Sequence, residues 1–217
     1  MRVIDLSLAL DAMTQTYPGD PAVRLTQHAT IEQDGFNLLA VAMGSQSGTN
    51  VDAPFHFDAS GARIDEVALE LCVGTGELVD LRGKGPREQI TIADVEGGAW
   101  GPGRIAVLHT GWSAHYGTPA YFDHPYLSAE ACALLLERGV RTICLDTLNI
   151  DETPDESHPG VGFPCHLLVA AVGGVVVENL THLEAVDFPE PLISVLPLRL
   201  TGADGSPTRA VAIDLSH

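Results

Sequence analysis

Basic residues are scarce in this sequence. Lys and Arg number 11 against 29 Asp and Glu, a formal net charge of -18 over 217 residues. A surface that acidic repels phosphate backbones and anionic lipid, which makes nucleic acid and membranes poor partners. No apolar run approaches the roughly 20 residues that a membrane-spanning helix requires. The opening Met1-Arg2-Val3-Ile4-Asp5 lacks the charged-then-apolar order of a secretory leader. Cysteine is sparse: Cys72, Cys132, Cys144 and Cys165 show no CxxC spacing. That argues against a disulfide framework or a zinc knuckle, and for small buried hydrophobes in a reducing compartment. The expectation is a cytoplasmic protein. Repeats and low-complexity linkers are lacking too, so the chain reads as one domain over 1–217, with 1–21 as an N-terminal arm whose Pro-containing part is Asp11–Pro21.

What is present is an ordinary folding composition, 45% hydrophobic and 18% charged. Gly and Pro punctuate it evenly, as suits many short strands joined by turns. Strand-like runs are Arg2–Leu6, Leu38–Met43, Gly76–Leu81, Ile105–His109, Thr142–Leu145, Val175–Glu178, Leu192–Leu200 and Arg209–Ile213. Several are continuous Val/Ile/Leu runs, the pattern of strands covered on both faces. Ser128–Arg138 reads as a helix, with Ser128 as cap, Glu130 in the first turn and Gly139 as stop. Pro164–Ala171 reads as a second, with His166 in its first turn. The sum is an α/β fold on a mixed sheet or barrel.

The stretch Ser45-Gln46-Ser47-Gly48-Thr49-Asn50-Val51-Asp52-Ala53-Pro54-Phe55-His56 carries the chemistry. Asp52 and His56 bracket a proline, which stiffens the loop and holds an acid and an imidazole in fixed relation. An Asp before Ala-Pro reads equally well as a turn residue capping its own backbone. Far downstream, Glu178 ends a run of three valines, a costly place for a carboxylate unless it is paired, metal-bound or reaches solvent. Trp112, Tyr121, Phe122 and Tyr126, like Tyr17 and Phe57, suit either a pocket for an aromatic substrate or the core and subunit contacts. His109, His115, His124 and His158 lie among turns and read as surface or hydrogen-bonded residues, and Gly205-Ser206-Pro207 reads as a tight turn.

Taken together, these segments resemble the cyclase and metal-dependent hydrolase family that includes bacterial kynurenine formamidase and isatin hydrolase. Its pattern is His-x-Gly-Thr-His-x-Asp-x-Pro-x-His, followed later by a His and a Glu. Gly48, Thr49, Asp52, Pro54 and His56 match it at the same spacing, and His166 and Glu178 take the later positions. Ile4-Asp5-Leu6-Ser7, Tyr17-Pro18-Gly19-Asp20-Pro21, Thr110-Gly111-Trp112, His124-Pro125-Tyr126-Leu127-Ser128, Asp146-Thr147-Leu148 and Gly202-Ala203-Asp204-Gly205 are similar to family landmarks, in order along nearly the whole chain.

The resemblance implies a barrel-like mixed β-sheet of the swivelling β/β/α type flanked by a few helices, and a homodimer or higher homo-oligomer. It implies a divalent ion, zinc or manganese, at Asp52, His166 and Glu178, with His56 as general acid/base. The departures are Gln46 and Asn50, which stand where the family has the two histidines of a first metal. Carboxamide oxygens are weak, hard donors, so that site should be lost, leaving Gln46 and Asn50 to bind a substrate carbonyl or a water. The leading reading is a metal-dependent hydrolase of a C–N or C–O bond in a small amide, lactam or lactone. Alternatives are a metal-free cyclase, dehydratase or isomerase using Asp52 and His56, and a catalytically silent ligand-binding member.

Overall fold

The computed structural model describes residues 1–216. In chain order the elements are β1 (Arg2–Asp5), β2 (Arg24–Ala29), α1 (Ile31–Asp34), β3 (Leu38–Ala42), β4 (Asn50–Asp52), β5 (Val73–Asp80), β6 (Gln89–Ile90), α2 (Ile92–Val95) and β7 (Arg104–His109). There follow β8 (Tyr126–Leu127), α3 (Ala129–Glu137), β9 (Thr142–Leu145), α4 (Pro164–Ala171), β10 (Val175–Glu178), β11 (Leu192–Ser194), β12 (Gly205–Pro207) and β13 (Val211–Asp214).

A mixed 9-stranded sheet in the order β1-β13-β11-β5-β7-β9-β10-β4-β12 organises the molecule. Its centre, β5-β7-β9-β10, is parallel, and both flanks are antiparallel. The apolar central strands are covered on both faces, and alternation sorts their side chains. Ile105, Val107, Cys144, Val175 and Val177 join one core, while Ala106, Leu108, Ile143, Leu145 and Val176 pack against residues of α3 and α4 in another. Past β1 the chain turns back: Thr181 N–H donates to the Leu6 carbonyl and Ser7 bridges Leu180 after β10. That contact curls the sheet into an incomplete barrel.

The predicted helices form as read. Ser128 Oγ accepts from Ala131 N–H, and Pro164 opens α4 without wasting a donor. The four cysteines are free and buried. Two local expectations are corrected. The run Leu192–Leu200 is strand only over Leu192–Ser194, because Pro197 has no N–H to donate and makes only an isolated bridge to Thr208. Gly205-Ser206-Pro207 is no turn but the edge strand β12, paired with β4, where the missing donor of Pro207 costs little. Gly205 is required there: a Cβ would sit 2.7 Å from the Val51 carbonyl and against the Gln46 amide. Within residues 1–21, Arg2–Asp5 is a sheet strand paired with β13 and Leu6 is fully buried. The following stretch is pinned to residues 116–118, where Gln15 N–H donates to the Tyr116 hydroxyl and the Gln15 side chain binds Gly117 N–H and the Thr118 carbonyl. No helix among the described residues is long and apolar enough to cross a membrane.

Candidate active site and metal centre

The site forms at the C-terminal ends of β9 and β10, where open α/β sheets place their clefts. On β4, Asn50 and Asp52 share a face because they are two residues apart, while Val51 enters the core on the other side. Register sets Asn50 opposite Glu178 and Asp52 opposite Val176, so two carboxylates from sequence-distant strands meet. From above, the first turn of α4 contributes His166. Ligand atoms of Asp52, His166 and Glu178 all lie within 4.8 Å of one another, and all three residues are buried. His166 Nε2 is 3.2 Å from Asp52 Oδ2 and 3.4 Å from Glu178 Oε1.

Asp151, to which the sequence assigned no role, orients this imidazole. Its carboxylate accepts the Cys165 and His166 backbone N–H groups at 2.8 and 3.1 Å, capping α4 from a distance, and takes His166 Nδ1–H at 2.8 Å. With Nδ1 committed to Asp151, Nε2 is the ring atom turned toward the two carboxylates, the placement of a ligand histidine's donor nitrogen. Burial opposes charge on His166, but Asp151, Asp52 and Glu178 outweigh it and lift the imidazole well above its ordinary range. Burial, reinforced by the facing Asp52, raises the Glu178 carboxyl to about 7.

This donor set fits a divalent cation. Asp52, Glu178 and Asp151 are three carboxylates around one buried imidazole. A proton on His166 cancels one of those charges, whereas a divalent ion on a neutral His166 cancels two. Carboxylate oxygen and imidazole nitrogen are both ligand types that zinc accepts, and the two carboxylates also suit manganese.

The positions expected to replace a first metal are not free polar groups awaiting a ligand. Asn50 is 1% exposed. Its amide N–H groups go to Gln46 Oε1 at 2.7 Å and Asp52 Oδ1 at 2.9 Å, and its carbonyl accepts from Asn179 at 3.3 Å. Gln46 Nε2 in turn donates to Asp204 at 3.1 Å. The neighbours fix each amide's orientation, because carboxylates and the Gly48 carbonyl can only accept. Asn50 therefore presents a donor to Asp52 where a bridging cation would need an open lone pair. Of the pair, only Gln46 reaches the cavity wall.

His56 lies at the other end of this amide chain. Its Nδ1–H donates to Asp204 Oδ2 at 2.8 Å, leaving Nε2 available for proton transfer. Burial works against its charged form, but the Asp204 hydrogen bond and the charge of Asp52 prevail and raise its pKa. His56 in turn holds the Asp204 carboxyl well below the usual range, aided by Ser45 and Gln46.

The cavity in front of these groups measures about 230 Å³. Phe57 and Phe163 form an aromatic wall with ring centroids 5.1 Å apart, and Phe57 stacks on His166 at 4.3 Å. Tyr17 and Asp20 reach in from the N-terminal segment. Of the other aromatics considered, Trp112 and Tyr121 belong to a buried cluster, and the Tyr121 hydroxyl supports Asn179. His124 is buried between the Pro125 carbonyl and Thr153, while His158 pairs with Asp155 on an exposed turn.

The Cyclase family model matches residues 4–152. The chain belongs to the cyclase family. Over 217 aligned residues it is 32% identical to a kynurenine formamidase of Bacillus cytotoxicus, covering 96% of this chain and 95% of the relative. Isatin hydrolase A from Ralstonia solanacearum superimposes with a TM-score of 0.87 at 23% identity, over 97% of this chain and 91% of that one. A structure described as a potential metal-dependent hydrolase with cyclase activity gives 0.80 at 22% identity, over 98% of both chains. The mixed, curled sheet with few helices is thus the fold of the cyclase family.

Proposed function

We propose that this cyclase-family chain hydrolyses the C–N bond of a small amide or lactam with one divalent ion held by Asp52, His166 and Glu178. It is a hydrolase acting on non-peptide C–N bonds, in keeping with its kynurenine formamidase relatives. The observation that carries the metal reading is the convergence of those three buried ligands within 4.8 Å, with Asp151 behind the histidine. A bound zinc or manganese ion would polarise the scissile carbonyl and acidify water. The protein's own part is to place the proton: His56 Nε2 accepts one from the attacking water and returns it to the departing nitrogen. Asp204 holds His56 in the tautomer that leaves Nε2 free and stabilises the imidazolium that forms. Gln46 and Asn50 tie Asp204 to Asp52, so proton-transfer residue and metal ligand share one hydrogen-bonded frame.

Metal content per chain, measured after dialysis against metal-free buffer and readdition of zinc or manganese, tests this reading. About one ion per chain is expected. Glu178→Gln and His166→Ala should each lower metal content and turnover together, by more than the roughly 10–100-fold that outer partners of a metal site command. Wild-type protein that stays metal-free after readdition would overturn it.

We further propose that the chain is one domain and works as a homodimer in the cytoplasm. The free, buried thiols suit a reducing compartment. The β2–β3 ribbon supports association, because Leu38, Leu39 and Val41 are exposed on it and Phe36 is exposed in the connection before β3.

A further inference from the structure

We infer that this site accepts aromatic amides or lactams whose remote end is uncharged or cationic, and rejects those bearing a free carboxylate. This rests on the hydrolase reading above and specifies its substrate class. About 230 Å³ is below the usual range for drug-sized ligands, so the cavity suits one ring or a compact bicycle. Phe57, Phe163 and Leu148 give it flat apolar surface, and Gln46, Asn149 and Asn179 give it amide groups. Among the described residues that line it there is no Lys and no Arg, whereas Asp20, Asp52 and Glu178 all face it.

Behind the wall stand two more carboxylates, Asp151 on His166 and Asp204 on His56. Five carboxylates thus line or back the cavity, where a divalent ion held by Asp52, His166 and Glu178 and the His56 imidazole would be the counter-charges. Arg87, which anchors the loop leading to Phe163, has its guanidinium committed to Asp123, Glu152 and Asp155. Among the described residues no Lys or Arg pairs with Asp20 at the mouth; burial and the nearby Asp204 raise its carboxyl against the pull of His56. A substrate carboxylate directed away from the ion therefore meets like charge with no cation to receive it. One such charge at about 8 Å in an effective dielectric of about 20 disfavours binding about thirtyfold. The same field helps expel the carboxylate that hydrolysis of an amide leaves behind, since water adds its hydroxyl to the acyl carbon and its proton to the nitrogen.

The test compares three matched substrates on the metal-loaded protein: formanilide, 4-formamidobenzoate and 4-(aminomethyl)formanilide. The uncharged and cationic compounds should each exceed the carboxylate in kcat/KM by at least about thirtyfold, and Asp20→Lys should narrow that ratio at least about fivefold. A carboxylate within about threefold of the uncharged compound overturns the inference, and so does a ratio that Asp20→Lys leaves unmoved. Hydrolysis of none of the three counts against the reaction assigned above. In that event the Kd values of benzamide, 4-carbamoylbenzoate and 4-(aminomethyl)benzamide, read by calorimetry, decide the charge selection by the same thirtyfold criterion.

Discussion

At the residue scale the most informative pair is His56 and Asp204, 148 positions apart and joined at 2.8 Å. Asp204 favours the protonated imidazole, so removing its charge lowers the pKa of His56. A general base must be neutral to act, so in the wild type activity falls as pH drops through that raised pKa. Asp204→Asn should move the acid limb of the kcat/KM–pH profile to lower pH, by about one unit, and cut kcat by about 10²-fold because the tautomer is no longer enforced. An acid limb that stays in place would mean that another group sets it. A short motif and two downstream positions name His56, Asp52, His166 and Glu178 as candidates in the sequence, and the structure brings the four around one cavity. Asp204 and Asp151 were not legible as partners, because nothing in a linear string shows that β12 lies beside β4 or that the loop after β9 reaches the start of α4.

At the element scale the site depends on a helix start and a strand end. Helix α4 is legible from its proline, its length and its apolar content, but its capping group is 14 residues upstream of Cys165, beyond any local capping pattern. The polar strands β4 and β12 were missed for a related reason. Asn-Val-Asp and Gly-Ser-Pro carry little strand preference, and pairing with each other and with β10 makes them strands. Asp151→Asn puts this to a test with two separate readouts. An amide offers one acceptor oxygen in place of the carboxylate's two, so a backbone N–H of α4 or the His166 Nδ1–H loses its partner. The apoprotein, melted in chelator, should lose about 1 kcal/mol, a fall in Tm of about 2–4 °C. Zinc affinity should drop about 10–100-fold. Lower Tm with unchanged zinc affinity would confine Asp151 to capping the helix.

At the scale of the whole molecule, the continuous apolar runs of the central strands make the sheet's two-sided burial legible. The β2–β3 ribbon escapes that logic, since Leu39 and Val41 on one face and Leu38 on the other all stay exposed at 47–53%. A two-stranded ribbon this exposed along β3 is marginally stable in water, which supports a second copy as its cover. Charge opposes that contact: two chains of formal charge -18 repel, and salt screens the repulsion. The homodimer should therefore tighten as ionic strength rises, the reverse of an ion-paired interface. Light scattering at about 10 μM chain in 0.15 M salt should give twice the 22.9 kDa of one chain. Leu39→Lys combined with Val41→Asp, both on one face of the ribbon, should shift the protein to monomer without changing its circular dichroism. A wild type that remains monomeric at this concentration and at 0.5 M salt overturns the proposed dimer. A dimer that survives the double substitution places the interface elsewhere.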